Sequence, residues 1–426
     1  MGEDILKMNK NIFMEKNNNE ISNPVRNKFL SPVRSETSNG ISGANGVNIL
    51  IANSSKETPL LLSNLFSELA RKEYFFYFLL AQADSELKNC GKIKKMHFGP
   101  AARGSFGFWL FLLTYPFLLF GYFFFLLYFK YRKNIKTLVC LNWNEKIIFT
   151  PLAVFLRVKV IWLEPPEINY KKMPAGLLLL FRFFSRWATI VAFVNFAGMQ
   201  LKNIGVPANR IKITAPGIKL NQPGQQQNIF SNLAKAEKSN FSRKYFTLGV
   251  VTDFVSPHQI ENLFQAVKTC LAVISNLQLI IVGEGRKTVK DKGKKRLDWL
   301  AKKIGIDNLV WFVSEQDNLR KWLDSFDVFV ITSEISNLSN LSIVLKTMSV
   351  GLPIIGFRNR GFEDLILEDK SGVLIEAGNS EILAGKIIEL YKNKRLSSNL
   401  SKNAKELAEN SFTLEKMAEA MEEILK

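Results

Sequence analysis

Two glycines and one lysine have the types and the spacing that could bind a phosphate group. Gly283 and Gly285 follow the apolar run 277–282, within the sequence Ile-Val-Gly-Glu-Gly-Arg. Glycines at the carboxyl end of a strand let backbone N–H groups approach an anion closely. Lys346 lies on a predicted helix that follows a Ser/Asn-rich loop, and the amino end of such a helix favours negative charge. Because a Gly-x-Gly pair also occurs in ordinary tight turns, its meaning depends on the elements around it.

The composition limits the chemistry that is available. The chain has 426 residues, which is long for a single core and predicts two domains. Its three cysteines are widely spaced without a Cys-x-x-Cys pair, and its two histidines, His97 and His258, lie far apart. These patterns indicate neither a disulfide framework nor a zinc site nor a histidine-dependent triad. We therefore expect no metal and no cofactor, and a reducing, cytoplasmic location.

The net charge predicts an acidic partner. The formal charge is +19 at pH 7 and the isoelectric point is near 9.7, which suits nucleic acid, anionic lipid or a phosphorylated substrate. Basic residues alternate with acidic ones along the predicted helices, and no aromatic and basic platform stands out. We therefore expect no nucleic acid partner, which leaves an anionic membrane surface and a phosphorylated substrate.

The order of the elements predicts an α/β fold with two doubly wound, Rossmann-like domains facing a cleft. An apolar run at 47–51, a helical stretch at 60–70 and a strand at 74–80 open the first βα series. A second series starts at 246, after a Gln/Asn/Ser/Lys-rich segment without apolar periodicity. The predicted division is a disordered low-complexity tail at 1–45, an N-terminal domain at 46–215, a linker at 216–244, a C-terminal domain at 245–412 and a helix at 413–426 that returns toward the first domain.

Residues 106–129 form an uncharged, Phe- and Leu-rich run with basic residues on both sides. Its length would suffice to cross a bilayer, but a crossing would separate the first strands from the rest of their predicted sheet. A second apolar stretch, 176–187, carries Arg182 and Arg186 one turn apart. We expect both stretches to attach the protein, as a peripheral or monotopic one, to the inner face of an anionic membrane. The alternative is that both are buried core helices.

Several motifs of the second half occur in a fixed order. The sequence 281–286 is similar to a Val-Gly-Asp-Gly-Pro turn, 327–333 to an Asp-x-Phe-Val-x-Pro-Ser strand, and 348–355 to Met-Ala-x-Gly-x-Pro-Val-Ile. Residues 361–372 keep the spacing of a Gly-x-x-Glu segment that ends in Gly, and 216–220 stand at a Pro-Asn-Gly-Val-Asp junction. Together these motifs resemble the donor domain of GT-B-fold, retaining nucleotide-sugar glycosyltransferases, the class that includes glycogen and sucrose synthases. The resemblance extends from about residue 46 to the C-terminus and is strongest after residue 246.

The resemblance implies an activity, substrates and a site. The activity would be sugar transfer from a nucleotide-diphosphate sugar to a lipid-linked or cell-envelope glycan acceptor, without a metal or a cofactor. In such enzymes the protein positions the two substrates and stabilises the leaving diphosphate. The residues that match donor-binding positions are Gly283, Glu284, Gly285, Arg286, Ser342, Lys346 and Asp364.

Four positions depart from the family pattern. The family places two carboxylates eight positions apart to hold the donor's ribose and sugar, and here these positions are Leu338 and Lys346. The family's Arg and Lys that neutralise the diphosphate match Asp253 and Gln259, so both charges are missing. An aspartate beside a diphosphate would repel it. In the first domain, the turn 141–144 lacks the family's His, and no Gly-Gly loop follows the first strand. Asp364 in place of Glu is a milder change.

Two hypotheses of different classes follow. In the first, the protein is a membrane-surface glycosyltransferase in which Lys346 and Arg286 supply the positive charge that Asp253 and Gln259 do not. In the second, it is a non-catalytic relative that keeps the two-domain fold and serves as a scaffold or binding partner at the membrane. Binding of a nucleotide diphosphate separates the two hypotheses.

Overall fold

The computed structural model describes residues 47–55, 58–82, 84, 86–98, 104–166, 174–220, 245–252, 257–283, 287–313, 319–332, 338–358 and 361–426. The tail predicted at 1–45 lies outside these residues, and so does the part of the predicted linker from 221 to 244.

The N-terminal half forms a 7-stranded parallel sheet in the order β3-β2-β1-β4-β5-β6-β7. Its strands are β1 (Val47–Asn53), β2 (Tyr74–Leu80), β3 (Gly91–Lys95), β4 (Thr137–Cys140), β5 (Lys159–Glu164), β6 (Ala188–Ala192) and β7 (Ile211–Ile213). Its α-helices are α1 (Leu60–Arg71), α2 (Gly104–Arg132), α3 (Trp143–Phe155), α4 (Ala175–Phe184) and α5 (Asn195–Asn203). The chain reverses its direction across the sheet between β1 and β4, and this switch point opens a crevice at the carboxyl ends of the strands.

The C-terminal half forms a 6-stranded parallel sheet in the order β10-β9-β8-β11-β12-β13. Its strands are β8 (Phe246–Thr252), β9 (Leu277–Gly283), β10 (Val310–Val313), β11 (Val328–Ile331), β12 (Ile354–Phe357) and β13 (Val373–Ile375). Its α-helices are α6 (Pro257–Cys270), α7 (Lys287–Ile304), α8 (Leu319–Ser325), α9 (Leu338–Val350), α10 (Ser380–Lys392), α11 (Lys394–Ser411) and α12 (Leu414–Leu425). Short 3₁₀ turns occupy Glu86–Asn89, Ser185–Trp187, Ala208–Arg210 and Asp307–Leu309.

The prediction of two doubly wound α/β sheets is confirmed. Strands β4 and β11 are buried along their whole length, which explains why they read as continuous apolar runs. One cluster of buried apolar side chains extends from the first sheet to one face of the second, and a separate cluster covers the other face. Helix α1 belongs to the first cluster and packs against both α9 and α12. The two halves therefore share part of their core.

Helix α2 connects β3 to β4 and lies beside α3, which in turn packs against α4. The Tyr115 hydroxyl donates to the Ile147 carbonyl at 3.0 Å, and Lys130 Nζ donates to the Leu156 carbonyl at 2.7 Å. These two bonds hold α2 along the length of α3. The segment Trp109–Arg132 is long and apolar enough to cross a membrane, and only 17% of its apolar window is buried. The alternative of a buried core helix therefore does not describe α2.

The chain enters the domain junction through a close backbone crossing. Ile218 pairs with Thr413 in an isolated parallel bridge, in which Ile218 N donates to the Phe412 carbonyl and Leu414 N donates to the Ile218 carbonyl, each at 2.9 Å. Helix α12 then packs on α1, and Lys72 Nζ lies 3.2 Å from Glu422 Oε1. The end of the chain is thus attached to the N-terminal half.

Replacing Gly217 by alanine should destabilise the protein. A Cβ atom at Gly217 would overlap the backbone carbonyl of Thr413, which the bridge holds in place. We expect the free energy of unfolding to fall by about 1–3 kcal/mol, as in other overpacked sites, measured by denaturant titration. Gly385→Ala is the matched control, because a Cβ there meets no atom within 4 Å and the residue lies inside a helix. Equal stability of the two variants would contradict the prediction.

Candidate active site

The donor-side residues follow the carboxyl ends of the second sheet. Gly283 is the last residue of β9, and its strand is flanked by β8 and β10. Glu284, Gly285, Arg286 and Asp253 lie outside the described residues, and so does the side chain of Gln259, whose backbone is in the first turn of α6. The predicted diphosphate-binding turn therefore stays a prediction, except that its first glycine ends a central strand at the expected edge.

Helix α9 places the two altered family positions in different surroundings. Leu338 begins the helix and is only 5% exposed, within the apolar cluster shared by the two halves. Ser342, one turn later, is also buried, whereas Lys346 is half-buried. A carboxylate at position 338 would be costly in such surroundings without a partner. Leu338 therefore suits its apolar surroundings and belongs to the core.

Asp364 joins the two halves of the molecule. Its Oδ1 accepts a hydrogen bond from Asn195 Nδ2 at 2.9 Å, and its Oδ2 accepts one from the backbone N–H of Phe196 at 3.2 Å. Both donors belong to the first turn of α5, whose amino end attracts a negative charge. In this arrangement both carboxylate oxygens are engaged by the N-terminal half, so a donor-binding role for Asp364 stays a prediction that competes with this contact.

A buried polar cluster lies at the carboxyl ends of β1 and β4, on the side expected to receive the acceptor. Asn142 Nδ2 donates to Asn53 Oδ1 at 2.8 Å, which joins the turn after β4 to the end of β1. Glu145 Oε1 accepts from the backbone N–H groups of Asn142 at 2.6 Å and of Ser54 at 3.2 Å. The turn that lacks His is therefore built from amide and carboxyl groups. The capping box of α3, Asn142 with Glu145, is the local reason for this geometry.

Glu145 is a fully buried carboxyl group within this cluster. The residue is 0% exposed, and burial raises its pKa while its hydrogen bonds partly offset that rise. Its second oxygen, Oε2, has no hydrogen-bond partner among the described residues. A raised pKa favours the protonated form, which would turn Oε2 into a donor.

A second buried carboxyl group forms an ion pair beside this cluster. Lys146 Nζ lies 2.7 Å from Glu164 Oε1 and also donates to the Leu163 carbonyl at 3.0 Å, with both side chains almost fully buried. Burial raises the pKa of Glu164, and the charge of Lys146 opposes that rise. The pair ties α3 to the end of β5. Sequence reasoning missed it, although charged residues inside the apolar runs 143–155 and 159–164 were a visible signal.

Within the part of the chain that the structure describes, there is no group of three or more His, Cys, Asp or Glu side chains that could hold a metal ion. The cysteines Cys90, Cys140 and Cys270 are buried and unpaired in disulfides.

Known proteins resemble this chain in both sequence and fold. Residues 232–407 match the family of glycosyl transferases group 1. N-acetyl-alpha-D-glucosaminyl L-malate synthase of Bacillus anthracis is 26% identical over 41% of this chain and 43% of its own length. The lipopolysaccharide core biosynthesis glycosyltransferase LpsE of Rhizobium meliloti is 25% identical over 40% of this chain and 47% of its own. The chain thus spans less than half the length of these two relatives.

A solved structure extends the likeness to nearly the whole chain. The Anabaena protein Alr3699/HepE, crystallised in complex with UDP, superposes with a TM-score of 0.69 at 16% identity, over 89% of this chain and 99% of the other. At this identity the likeness concerns the fold. The two sheets and this likeness show a GT-B fold, and the match to the glycosyl transferases group 1 family covers residues 232–407 of it, as the motifs of the second half predict.

Replacing Glu145 by glutamine should flatten the dependence of stability on pH. Because the folded-state pKa is raised, the folded protein holds this proton more tightly than the unfolded chain, and stability is lost as pH rises from the ordinary carboxyl pKa through the raised one. Glutamine keeps the acceptor oxygen of the capping box but cannot titrate. Denaturant midpoints measured from acid to neutral pH should show a smaller decline in the variant.

The matched control is Glu423→Gln, which alters an exposed carboxyl group on α12. It should reproduce the pH profile of the parent protein. If Glu145→Gln does so as well, Glu145 does not titrate with the raised pKa that its burial implies.

Proposed function

We propose that this protein transfers a sugar, with retention of anomeric configuration, from a nucleotide-diphosphate sugar to a lipid-linked or cell-envelope glycan acceptor at the membrane surface. The group 1 domain and the GT-B fold support the sugar transfer. The relative named for lipopolysaccharide core biosynthesis supports an envelope acceptor. The observation that carries the membrane surface is an exposed aromatic stripe on α2.

The stripe is the outward face of α2, defined as the residues three or four positions apart that are exposed. Phe117 is 80% exposed and Phe120 is 71% exposed, and the full set is Trp109, Leu113, Phe117, Phe120, Phe124, Tyr128 and Tyr131. A helix of a soluble protein usually presents polar residues on this face. An apolar surface of this extent instead marks contact with a membrane or with another protein.

The sheet supports a position of α2 on the membrane surface over a crossing of the bilayer. Strands β1 to β3 precede α2 and β4 to β7 follow it, yet all belong to one hydrogen-bonded sheet. A transmembrane α2 would put these two groups of strands on opposite sides of the bilayer. With the sheet intact, the helix lies along the membrane surface with its stripe in the lipid, as interfacial helices do.

The proposed reaction depends on the positions of donor and acceptor and on positive charge beside the diphosphate, and it needs no nucleophilic side chain. The two sheets hold donor and acceptor at the crevice between their carboxyl edges, and a cation beside the leaving diphosphate stabilises the charge that develops on it. In this proposal Lys346 and Arg286 are the cations, and no metal or cofactor takes part. The buried amide and carboxyl cluster around Asn142 and Glu145 would shape the acceptor side.

A second candidate is a catalytically inactive relative that acts as a scaffold or binding partner at the membrane. The burial of Leu338 in the apolar cluster favours it, because this is the position where the family has a carboxylate for the donor. The two candidates differ in whether a nucleotide diphosphate binds.

Replacing Lys346 by alanine should weaken the binding of UDP. Loss of one cation next to the diphosphate should lower the affinity about tenfold, equivalent to about 1.4 kcal/mol, measured by isothermal titration calorimetry. The control is Lys268→Ala, which removes an exposed cation from α6 and should leave the affinity unchanged. Parent binding that Lys346→Ala leaves intact would remove Lys346 from the site. Absence of UDP and other nucleotide-diphosphate binding by the parent would favour the scaffold.

A further inference from the structure

An open groove lies between α2 and α4, next to the exposed aromatic stripe. Its volume is about 660 Å³. Its apolar wall is formed by Leu112, Leu179, Leu180 and Phe183. The side chains of Arg182 and Arg186 line the same groove. A groove that combines an apolar wall with paired guanidinium groups suits a ligand with both a hydrocarbon part and an anionic part.

The two arginines are placed for an external anion. Both are exposed, and among the described residues no carboxylate forms an ion pair with either of them. Gly205 has φ of +90°, and a Cβ atom there would lie 2.7 Å from Arg182 Nη2. The guanidinium of Arg182 therefore rests against the Gly205 backbone, in space that a side chain would fill. Unpaired arginines with this support can offer two parallel N–H donors to phosphate oxygens.

The groove and the stripe share α2, because Leu112 in the groove is the chain neighbour of Leu113 in the stripe. Phe155 is exposed at the end of α3, and its ring centroid lies 5.8 Å from that of Phe123 on α2. Phe183, in the groove, stacks edge-on with the exposed Trp187 at 4.9 Å. Exposed apolar side chains therefore lie on α2, on α3 and at the end of α4, and the arginines stand beside the last of these.

The position of the arginines within the fold separates them from the crevice. Arg182 and Arg186 come just before β6, and Gly205 comes shortly before β7, so all three lie toward the amino ends of the strands. Arg132, at the end of α2 before β4, adds a cation toward the same edge. Ligands that react in doubly wound folds bind beyond the carboxyl ends. The end of the groove that holds the arginines is thus better placed for a lipid that anchors the protein than for the acceptor.

We propose that this groove binds the phosphate of an anionic glycerophospholipid of the bilayer, while the aromatic stripe contacts the acyl chains. The proposal rests on the membrane attachment that is part of the proposed function. The two guanidinium groups hold the phosphate oxygens, and the apolar wall takes the first carbons of the lipid tail. This arrangement fixes the orientation in which α2 lies on the membrane, because the arginines must reach the phosphate while the stripe contacts the acyl chains.

The test uses the full chain and vesicles of phosphatidylcholine with or without phosphatidylglycerol, in a flotation assay. For the double variant R182Q/R186Q we expect vesicle affinity to fall about thirtyfold, since each basic residue near an anionic surface contributes about fivefold. R182K/R186K keeps the charge but loses the planar fork, and it should bind more weakly than the parent yet better than R182Q/R186Q. Vesicles made anionic with oleate instead of a phospholipid should bind the parent more weakly than phosphatidylglycerol vesicles do.

The matched control K268Q/K392Q removes two exposed cations from the C-terminal half and should bind vesicles as the parent does. An equal loss in this control, or equal binding to oleate vesicles, would show a general charge effect and overturn the groove. A parent protein that binds none of the vesicles would also overturn the proposal. This includes a parent protein that dimerises through the stripe and so hides it from lipid. UDP affinity is measured in the same variants and should not change. Failure of UDP binding with intact vesicle binding would instead contradict only the proposed sugar transfer.

Discussion

The parallel pairing of β1 with β4 is the constraint on which the rest of the N-terminal half depends. Ile49 to Ala52 pair with Thr137 to Cys140, so strands that lie before and after α2 are neighbours in one sheet. This pairing creates the switch point where the polar cluster forms. It also keeps α2, in spite of its composition, on one face of the sheet. Both the position of the crevice and the position of the apolar surface of α2 therefore follow from the pairing of β1 with β4.

The two edges of this sheet carry different chemistry. At the carboxyl edge, amide and carboxyl groups from β1 and α3 are buried and hydrogen-bonded to each other, which makes a stiff polar wall. Toward the amino edge, Arg182 at the end of α4 and Arg186 in the turn after it are exposed beside aromatic side chains. Under the proposed function, this division would keep the surface that meets lipid apart from the crevice, which would stay open to both substrates.

In the C-terminal half, two positions that the resemblance predicts for donor binding lie where the two halves of the molecule meet. Leu338 packs in the core shared by the two halves, where a carboxylate would need a partner. Asp364 directs its carboxylate to the first turn of α5 across the domain boundary. Both residues now contribute to holding the halves together.

The sequence by itself determined the order of strands and helices, the division into two sheets and the apolar length of α2, because these depend on local periodicity. It did not reveal β3, whose alternating lysines suit an edge strand, or the three-residue β13. Only the tertiary structure decided which polar residues meet. The pairs are Glu145 with Ser54, Lys146 with Glu164, and Asp364 with Asn195. It also decided which face of α2 is exposed. Such contacts join residues far apart in the chain, and their geometry follows from the packing of whole elements, which no local pattern records.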